Sequence, residues 1–211
     1  MRYQLIELPF PHKGSGVPRS GGIHLTDIIK FIEEENNKAF KDDGTWDSEM
    51  TMEAGFIWER ALEMAYADRM AIRPDEIICD GIVCSPDGIG IDKDIYNPET
   101  EELLIQGTGK LTVEEYKFTW KSTVKKEGQL LIEVPPTDNW RYMTQVKSYC
   151  YAVGTDVVIM RIFHVNGDYR TRRPIPRFCR IWFTKEEIES NWAMILKYRD
   201  KMLTKLKGGA Q

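Results

Sequence analysis

Apolar residues recur along the chain with two different periods, and these divide it into predicted helices and strands. Helical spacing predicts helices at about residues 25–35, 52–69, 138–153 and 185–205. Alternating or short continuous apolar runs predict strands at 76–84, 88–91, 111–119, 157–165, 169–173 and 178–183. Turn chemistry supports these limits: Asn166-Gly167 is a strong hairpin signal, Thr184 with Glu187 forms a capping box, and Gly154 can end a helix. Pro174 and Pro176 are expected to end the strand at 169–173.

The length of 211 residues suits one well-buried domain, and no internal repeat or domain boundary is visible, so we expect a single domain over 1–211. Residues 1–22 are expected to be a mobile N-terminal segment rich in Gly and Pro, and 208–211 a frayed tail. No apolar run is long enough to span a membrane, and the N-terminus lacks the apolar core of a signal peptide. The four cysteines form no tight metal-type cluster, so we expect reduced thiols in a cytoplasmic protein.

The charge of the chain is unevenly distributed. The net charge of −4 argues weakly against nucleic acid as a partner. Residues 1–116, however, hold 11 Lys and Arg against 24 Asp and Glu, whereas residues 117–185 hold 13 against 5. The basic region is compatible with a surface that follows phosphates. Arg170 and Arg172, beside the predicted hairpin turn, could bind a nucleic-acid backbone or, equally, protect an exposed strand edge by their charge.

The candidate chemistry centres on the stretch from Ser85 to Lys117. Pro86-Asp87-Gly88 is a turn leading into the strand at 88–91, and Glu115 and Lys117 share one face of the strand at 111–119. If the two strands are neighbours, two carboxylates and one ammonium converge. Paired carboxylates suit Mg²⁺, and a nearby Lys can orient or help deprotonate water, or offset phosphate charge. The groups suit phosphodiester hydrolysis; the alternative is a half-exposed strand with alternate charged residues.

Two predicted helices carry further candidates at one-turn spacing. Gly55 and Glu59 lie four residues apart, so close packing of the helix on the sheet at Gly55 would bring Glu59 to the catalytic edge. A surface Glu in a charged helix is the alternative. Gln145 and Tyr149 are also four apart, and an amide with a hydroxyl can contact a phosphate or metal-bound water. A Tyr on such a face is otherwise a core residue.

These residues form an ordered series of four short motifs. Gly55-x-x-x-Glu59, Pro86-Asp87-Gly88, Glu115-Tyr116-Lys117 and Gln145-x-x-x-Tyr149 together resemble the PD-(D/E)XK nuclease superfamily, in particular its RecB-like and phage lambda-type exonuclease branches. The resemblance spans about residues 24–154. It implies an α/β (α+β) fold with a restriction-endonuclease-like core, a central mixed β-sheet flanked by helices. It also implies DNA as the substrate and Mg²⁺ or Mn²⁺ as the cofactor.

The resemblance also assigns roles to individual residues. Asp87 and Glu115 match the metal-binding acids, with the Tyr116 carbonyl as a further ligand, and Lys117 matches the catalytic lysine. Glu59 matches the helix acid that assists at the metal. Gln145 and Tyr149 match the pair that contacts the reacting phosphate. The remaining candidates for DNA binding are basic: Lys121, Arg141, Arg170 and Arg172.

Departures from the superfamily pattern limit the prediction. Cys150 and Cys179 stand far apart, so no iron–sulfur cluster is expected, and His24 before the first helix is expected to be structural. No Walker A loop is present, so unwinding would need a partner such as a helicase. A single-strand annealing partner and a ring-forming homo-oligomer are also compatible with the resemblance. The lead hypothesis is an exonuclease of recombination, repair or phage DNA metabolism. The alternatives are an endonuclease, a catalytically weak nucleic-acid-binding or assembly protein, and an unrelated metal-binding structural domain.

Overall fold

A computed structural model describes residues 20–36, 48–66, 71–97, 99–168, 170 and 173–208. The helices of this part of the chain are α1 Leu25–Glu35, α2 Ser48–Tyr66, α3 Trp140–Val153 and α4 Lys185–Gly208. Its strands are β1 Ile23–His24, β2 Ala71–Ile72, β3 Ile77–Cys79, β4 Ile82–Cys84, β5 Gly88–Ile91, β6 Ile95–Tyr96, β7 Leu103–Ile105, β8 Leu111–Thr119, β9 Val124–Glu127, β10 Leu130–Glu133, β11 Val157–His164 and β12 Ile175–Trp182. None of the described helices combines the length and apolar character needed to cross a bilayer.

Five strands form a central mixed sheet in the order β12-β11-β8-β5-β2. Strands β8 and β11 are parallel, and the other neighbouring pairs are antiparallel. Strands β1, β4 and β3 form a second, small sheet, while β6–β7 and β9–β10 are separate two-stranded ribbons. The predicted architecture of a mixed sheet flanked by helices is therefore confirmed.

The main core lies between one face of the central sheet and the helices α1, α3 and α4. Side chains alternate along a strand, so Val113 of β8 and Met160 of β11 face this core together. Helix α1 buries Leu25, Ile28, Ile29 and Ile32, the stripe that its spacing predicts. The predicted C-terminal end of α3 and the predicted start of α4 are also observed. Gly154 ends α3 in the left-handed conformation, and Thr184 and Glu187 exchange their capping hydrogen bonds at the start of α4.

The predicted strand at 76–84 is wrong, because the chain turns back on itself at Asp80-Gly81. Both residues have left-handed backbone angles (φ of 48° and 75°), which suits the two-residue turn of a hairpin. Strands β3 and β4 therefore pair with each other in the small sheet, whereas β5 joins the central sheet. The Asp-Gly pair was a turn signal that the apolar pattern of this segment obscured.

The return strand after the Asn166-Gly167 turn also differs from the prediction. The predicted strand at 169–173 is not observed at Arg170 or Arg173, and its other residues, including Arg172, lie outside the described residues. The return strand is β12, which begins at Ile175 and includes Pro176 opposite Phe163. Because β12 is an edge strand, the missing N–H of Pro176 can face away from the ladder without loss. Of the two predicted terminal segments, 1–19 and 209–211 also lie outside the described residues.

Candidate active site

Asp87 directly precedes β5, and Glu115 lies on the neighbouring strand β8 of the central sheet. Strand β5 pairs with β8 so that Gly88 is opposite Glu114, and one further step in this register places Asp87 opposite Glu115. The contact between the two segments is direct, because the Asp87 Oδ2 accepts a hydrogen bond of 2.7 Å from the main-chain N–H of Tyr116. The structure thus brings together two acids that are remote in sequence.

The backbone of Tyr116 also faces the site, whereas its side chain does not. In a strand, the N–H and C=O of one residue point to the same side, so the Tyr116 carbonyl faces the side occupied by Asp87. The phenol lies on the opposite face of the sheet, where it donates a 3.2 Å hydrogen bond to Glu114, which is paired with Arg161. Tyr116 can therefore offer only its main-chain oxygen to a cation beside Asp87.

Lys117 and Glu115 share the same face of β8, as their spacing predicts. The Lys117 ammonium forms an ion pair with the Oε1 atom of Glu115. The Glu115 side chain is 1% exposed and that of Lys117 is 19% exposed, so the pair is largely shielded from water.

Burial and mutual charge change the pKa values of these groups. Burial raises the pKa of Glu115 to about 8, the negative charge of Asp87 adds to the effect, and Lys117 opposes it. Burial also raises the pKa of Glu59 to about 7, again with a contribution from Asp87. For Lys117, burial favours the neutral amine, but the carboxylates of Glu115 and Asp87 outweigh it and raise its pKa. The lysine is therefore held as an ammonium beside an excess of acidic groups.

The surroundings of the second carboxylate oxygen of Glu115 indicate whether a metal ion fits the site. Glu115 Oε2 is buried and has no hydrogen-bond partner. A buried carboxylate oxygen without a donor is costly, and a divalent cation held by two carboxylates and a carbonyl would compensate it. Within the described ranges, no group of three or more His, Cys, Asp and Glu side chains is arranged to hold a metal ion. The fit to a divalent ion rests on the partnerless Glu115 oxygen and on the adjacent Asp87 carboxylate, which are two acids and not three.

Glu59 lies near this pair but is held by another residue. Its Oε2 atom accepts a hydrogen bond of 3.4 Å from Arg73, while its charge acts on Asp87, Lys117 and Glu115. The reason predicted for its placement is wrong, because a Cβ added at Gly55 would meet nothing within 4 Å, so Gly55 does not mark a close approach. Instead, Trp58 packs against Phe163 of β11, with ring centroids 4.7 Å apart, and this contact fixes α2 against the sheet.

Gln145 and Tyr149 of α3 contact each other directly. The Gln145 amide donates a hydrogen bond of 2.9 Å to the Tyr149 hydroxyl. Tyr149 is 2% exposed and belongs to the main core, so it does not face solvent, where a DNA backbone would lie. Burial and the nearby Glu115 charge raise the pKa of Tyr149. The structure favours the alternative of a core tyrosine, while Gln145 remains half-buried at the edge of the site.

Sequence reasoning missed Tyr142, which also contacts the site. The Lys117 ammonium lies over the ring of Tyr142, 5.5 Å from its centroid. Tyr142, Gln145 and Tyr149 follow one another at positions i, i+3 and i+7 of α3, so they share one face of the helix. The helical spacing could have indicated Tyr142, but the pattern of the motif did not include it.

Three of the four basic candidates, Lys121, Arg141 and Arg170, are exposed. Arg141 pairs with Glu33 of α1 at 3.2 Å, which links α3 to α1. Lys121 and Arg170 are exposed, and their main-chain N–H groups donate to Thr119 and Asp168 respectively. Arg172 lies outside the described residues. None of these positions is shown to contact the acidic pair in the described part of the chain, so a role in DNA binding stays a prediction.

One surface cleft of the described region lies away from the acids. It has a volume of about 630 Å³ and is lined by Leu111, Cys150 and Thr155, among others, near the beginning of β8. Glu115 and Lys117 lie further along the same strand. The candidate site is therefore identified by its chemistry, not by the size of a cavity.

Comparison with known proteins gives structural likeness only. No family model and no curated protein matches the chain. Among solved structures, an alkaline exonuclease from Laribacter hongkongensis, LHK-Exo, matches with a TM-score of 0.49 and 13% identity, over 90% of this chain and 93% of its own. The protein SSO0001 matches with a TM-score of 0.46 and 17% identity, over 89% of this chain and 78% of its own.

A phage-related exonuclease from Haemophilus somnus 129PT matches with a TM-score of 0.43 and 12% identity, over 86% of this chain and 83% of its own. Because the identities and the TM-scores are low in each case, these matches identify neither a family nor an activity for this chain.

Proposed function

We propose that this protein is a Mg²⁺-dependent deoxyribonuclease that hydrolyses phosphodiester bonds as an exonuclease, in DNA recombination, repair or phage DNA metabolism. The observation that carries the proposal is the buried Glu115 beside Asp87, with one carboxylate oxygen lacking a hydrogen-bond partner and the other paired with Lys117. The exonuclease assignment and its biological setting rest on the order of the four sequence motifs.

Asp87 and Glu115 would hold the cation, and the Tyr116 carbonyl faces the right side to add a third oxygen. When bound, Mg²⁺ supplies Lewis-acid chemistry, lowering the pKa of water and offsetting charge on phosphate. These three oxygen ligands come only from β8 and from the turn before β5. Mn²⁺ prefers the same oxygen ligands and is expected to replace Mg²⁺.

Lys117 would act as a hydrogen-bond donor and not as a base. Its pKa is raised by the carboxylates of Glu115 and Asp87, so the side chain carries its proton at neutral pH. An ammonium can orient a water molecule and stabilise the charge that develops on a phosphate oxygen. Glu59, whose pKa is raised to about 7, is the better candidate for a group that takes up a proton near neutral pH.

Gln145 would contribute a polar contact to the phosphate. One of its amide N–H groups is engaged by the Tyr149 hydroxyl, which fixes the orientation of the side chain. The amide retains a second N–H and its carbonyl oxygen for a ligand. Tyr149 would therefore act by holding Gln145 in place, whereas the exposed Lys121, Arg141 and Arg170 are candidates for binding the DNA backbone further away.

The test is digestion of linear and covalently closed circular DNA by the purified protein, with Mg²⁺, with Mn²⁺ and with a chelator. Loss of only linear DNA, dependent on the divalent ion, is the expected result. Nicking of circles would instead indicate an endonuclease. DNA binding without cleavage under any metal condition would contradict the proposal and favour a nucleic-acid-binding protein.

Two lysine variants make the test specific to the site. Lys117→Ala removes the ammonium beside Glu115, whereas Lys185→Ala removes an exposed ammonium paired with Glu189 at the beginning of α4. Only the first should lose activity, and both should retain the circular dichroism spectrum of the original protein. Equal activity of both variants would show that any nuclease activity arises elsewhere.

A further inference from the structure

Lys117 is bounded on two sides by groups that attract a cation. Its ammonium is paired with the Glu115 carboxylate, and it also lies over the face of the Tyr142 ring, 5.5 Å from the centroid. A cation within about 6 Å of the centroid is attracted by the negative face of the ring. The attraction is stronger where water is excluded, and the Lys117 side chain is only 19% exposed.

Tyr142 is itself well fixed in position. It lies in the first turn of α3, where its main-chain N–H donates to the side chain of the capping residue Asn139 at 3.3 Å. The ring is partly buried against the main core. Helix α3 thus carries the ring to the lysine as a rigid element of the scaffold.

We propose that Tyr142 is a positioning residue for Lys117, because the face of the Tyr142 ring confines the Lys117 ammonium beside Glu115. This proposal rests on the nuclease function proposed above. A lysine side chain has four flexible carbons and loses considerable rotamer freedom when it is held in one place. Glu115 alone restrains one N–H direction. The ring restrains the lysine from a second direction without consuming any of its hydrogen bonds, which remain available for water or phosphate.

The chemistry of the contact distinguishes the ring from the hydroxyl. The attraction comes from the π face, which Phe retains and Leu lacks. Tyr142→Phe should therefore keep kcat close to its original value, whereas Tyr142→Leu should lower kcat about 3- to 30-fold with little change in KM. The effect falls on kcat because the ammonium is needed for the chemical step and other residues bind the DNA.

The matched control is Tyr151→Leu on the same helix. Tyr151 stacks on Trp192 of α4, with centroids 4.7 Å apart, and its change removes a ring contact of similar size away from Lys117. If Tyr142→Leu acted only by loosening α3, Tyr151→Leu would lower kcat to the same extent. Thermal unfolding of both variants should confirm that each is folded at the temperature of the assay.

The experiment measures kcat and KM on linear duplex DNA for the original protein and the three variants. The expected result is a selective fall in kcat for Tyr142→Leu and rescue by Tyr142→Phe. The proposal is overturned if kcat is unchanged in Tyr142→Leu, or if kcat falls equally in Tyr142→Phe and Tyr142→Leu. It is also overturned if Tyr151→Leu lowers kcat as much as Tyr142→Leu does. Failure of the proposed nuclease function has a different signature, because the original protein would then be inactive with every metal.

Discussion

The segment 92–110, called the excursion below, joins β5 to β8, the two strands beside the candidate site. Asp92 closes this excursion, so Asp92→Asn tests how the site is held together. The excursion leaves β5, which follows Asp87, and enters β8, which carries Glu115. The main chain of Asp92 donates to the carbonyl of Lys110 and accepts from Gly109, at the point where β8 begins. These contacts fix the register of β5 on β8, and a slip of one residue would turn Glu115 to the other face.

The side chain of Asp92 makes the strongest contacts of this closure. It is fully buried and accepts hydrogen bonds from the Thr108 main-chain N–H at 3.0 Å and hydroxyl at 2.7 Å. It also accepts from the Arg180 guanidinium at 2.7 Å and 2.8 Å. Arg180 comes from β12, at the opposite edge of the sheet, so one carboxylate ties the excursion across the sheet.

The cost of Asp92→Asn follows from burial of the pair. The variant keeps the shape of the side chain but leaves Arg180, whose side chain is 9% exposed, without a counter-charge. Removing one partner of a buried ion pair costs about 3–5 kcal/mol of unfolding free energy. Arg180 keeps a hydrogen bond of 2.8 Å to the carbonyl of Gln106, so we expect a loss near 3 kcal/mol. Combining Asp92→Asn with Arg180→Met should recover part of this loss, because no unpaired charge remains.

The pH dependence gives a second, independent expectation. Burial opposes ionisation of Asp92, but hydrogen bonds from Thr108 and Arg180 outweigh it and hold the pKa of Asp92 below its usual value. A carboxylate with a lowered pKa stabilises the fold above the pKa of the unfolded chain, and this stabilisation is lost as the pH falls through the folded pKa. The stability difference between the original protein and Asp92→Asn should therefore be full at neutral pH and shrink in acid, below about pH 4.

The measurement is urea unfolding at pH 7 and at lower pH, followed by tryptophan fluorescence. Asp94→Asn is the matched control, since Asp94 lies in the same excursion but is exposed, with hydrogen bonds to Gly107 and Tyr96. Asp94→Asn should lower the unfolding free energy by no more than about 1 kcal/mol. If Asp92→Asn lost less than about 1 kcal/mol of unfolding free energy, or if both variants lost equal amounts, the buried ion pair would not be what closes this segment.

Three further perturbations test the site and its surroundings. Lys117→Ala should lower kcat about 100-fold or more while DNA binding, followed by fluorescence anisotropy, is retained, since the ammonium serves the chemical step; loss of binding would contradict this. Mg²⁺ at 100 times its Kd should stabilise the original protein by about 2.7 kcal/mol in thermal unfolding, and Asp87→Asn should abolish that shift; an equal shift in the variant would place the ion elsewhere. Gly107→Ala should destabilise the fold, since the added Cβ would lie 2.3 Å from a main-chain carbon. Gly55→Ala has open space around the new Cβ and should stabilise the fold by about 0.5–1 kcal/mol in urea unfolding. Changes of the same sign in the two unfolding free energies would contradict this description of the packing.

The elements with strong local signals could be predicted from the sequence. Strand β8 has the bounds predicted for it, the end of α3 follows from Gly154, and the start of α4 follows from the capping box. The shared face of Glu115 and Lys117 also follows from alternation alone, since the two residues lie on one strand. These features depend on residues within a few positions of one another, which is the range over which sequence patterns are informative.

Most of the features that were missed depend on contacts between residues remote in sequence. Pro176 could enter β12 only because that strand is at the edge of the sheet, which local pattern does not reveal. The placement of α2 by Trp58 on Phe163, and of Tyr142 on Lys117, likewise joins separate elements. The Asp80-Gly81 turn is different: its signal was local and was overridden by the apolar residues around it.

The juxtaposition of Asp87 and Glu115 was predicted from the sequence, yet it depends on contacts between residues remote in sequence. The resemblance to the nuclease superfamily predicted that the two acids meet, but the physical cause is the closed excursion between β5 and β8. Asp87 lies in the turn before β5 and Glu115 lies on β8. The register that makes them neighbours is stabilised by Asp92, Thr108 and Arg180, none of which belongs to a catalytic motif. Residues outside the motifs therefore determine whether the motifs can act together. A variant that weakens this closure should lose Mg²⁺-induced stabilisation together with fold stability, even with both acids intact.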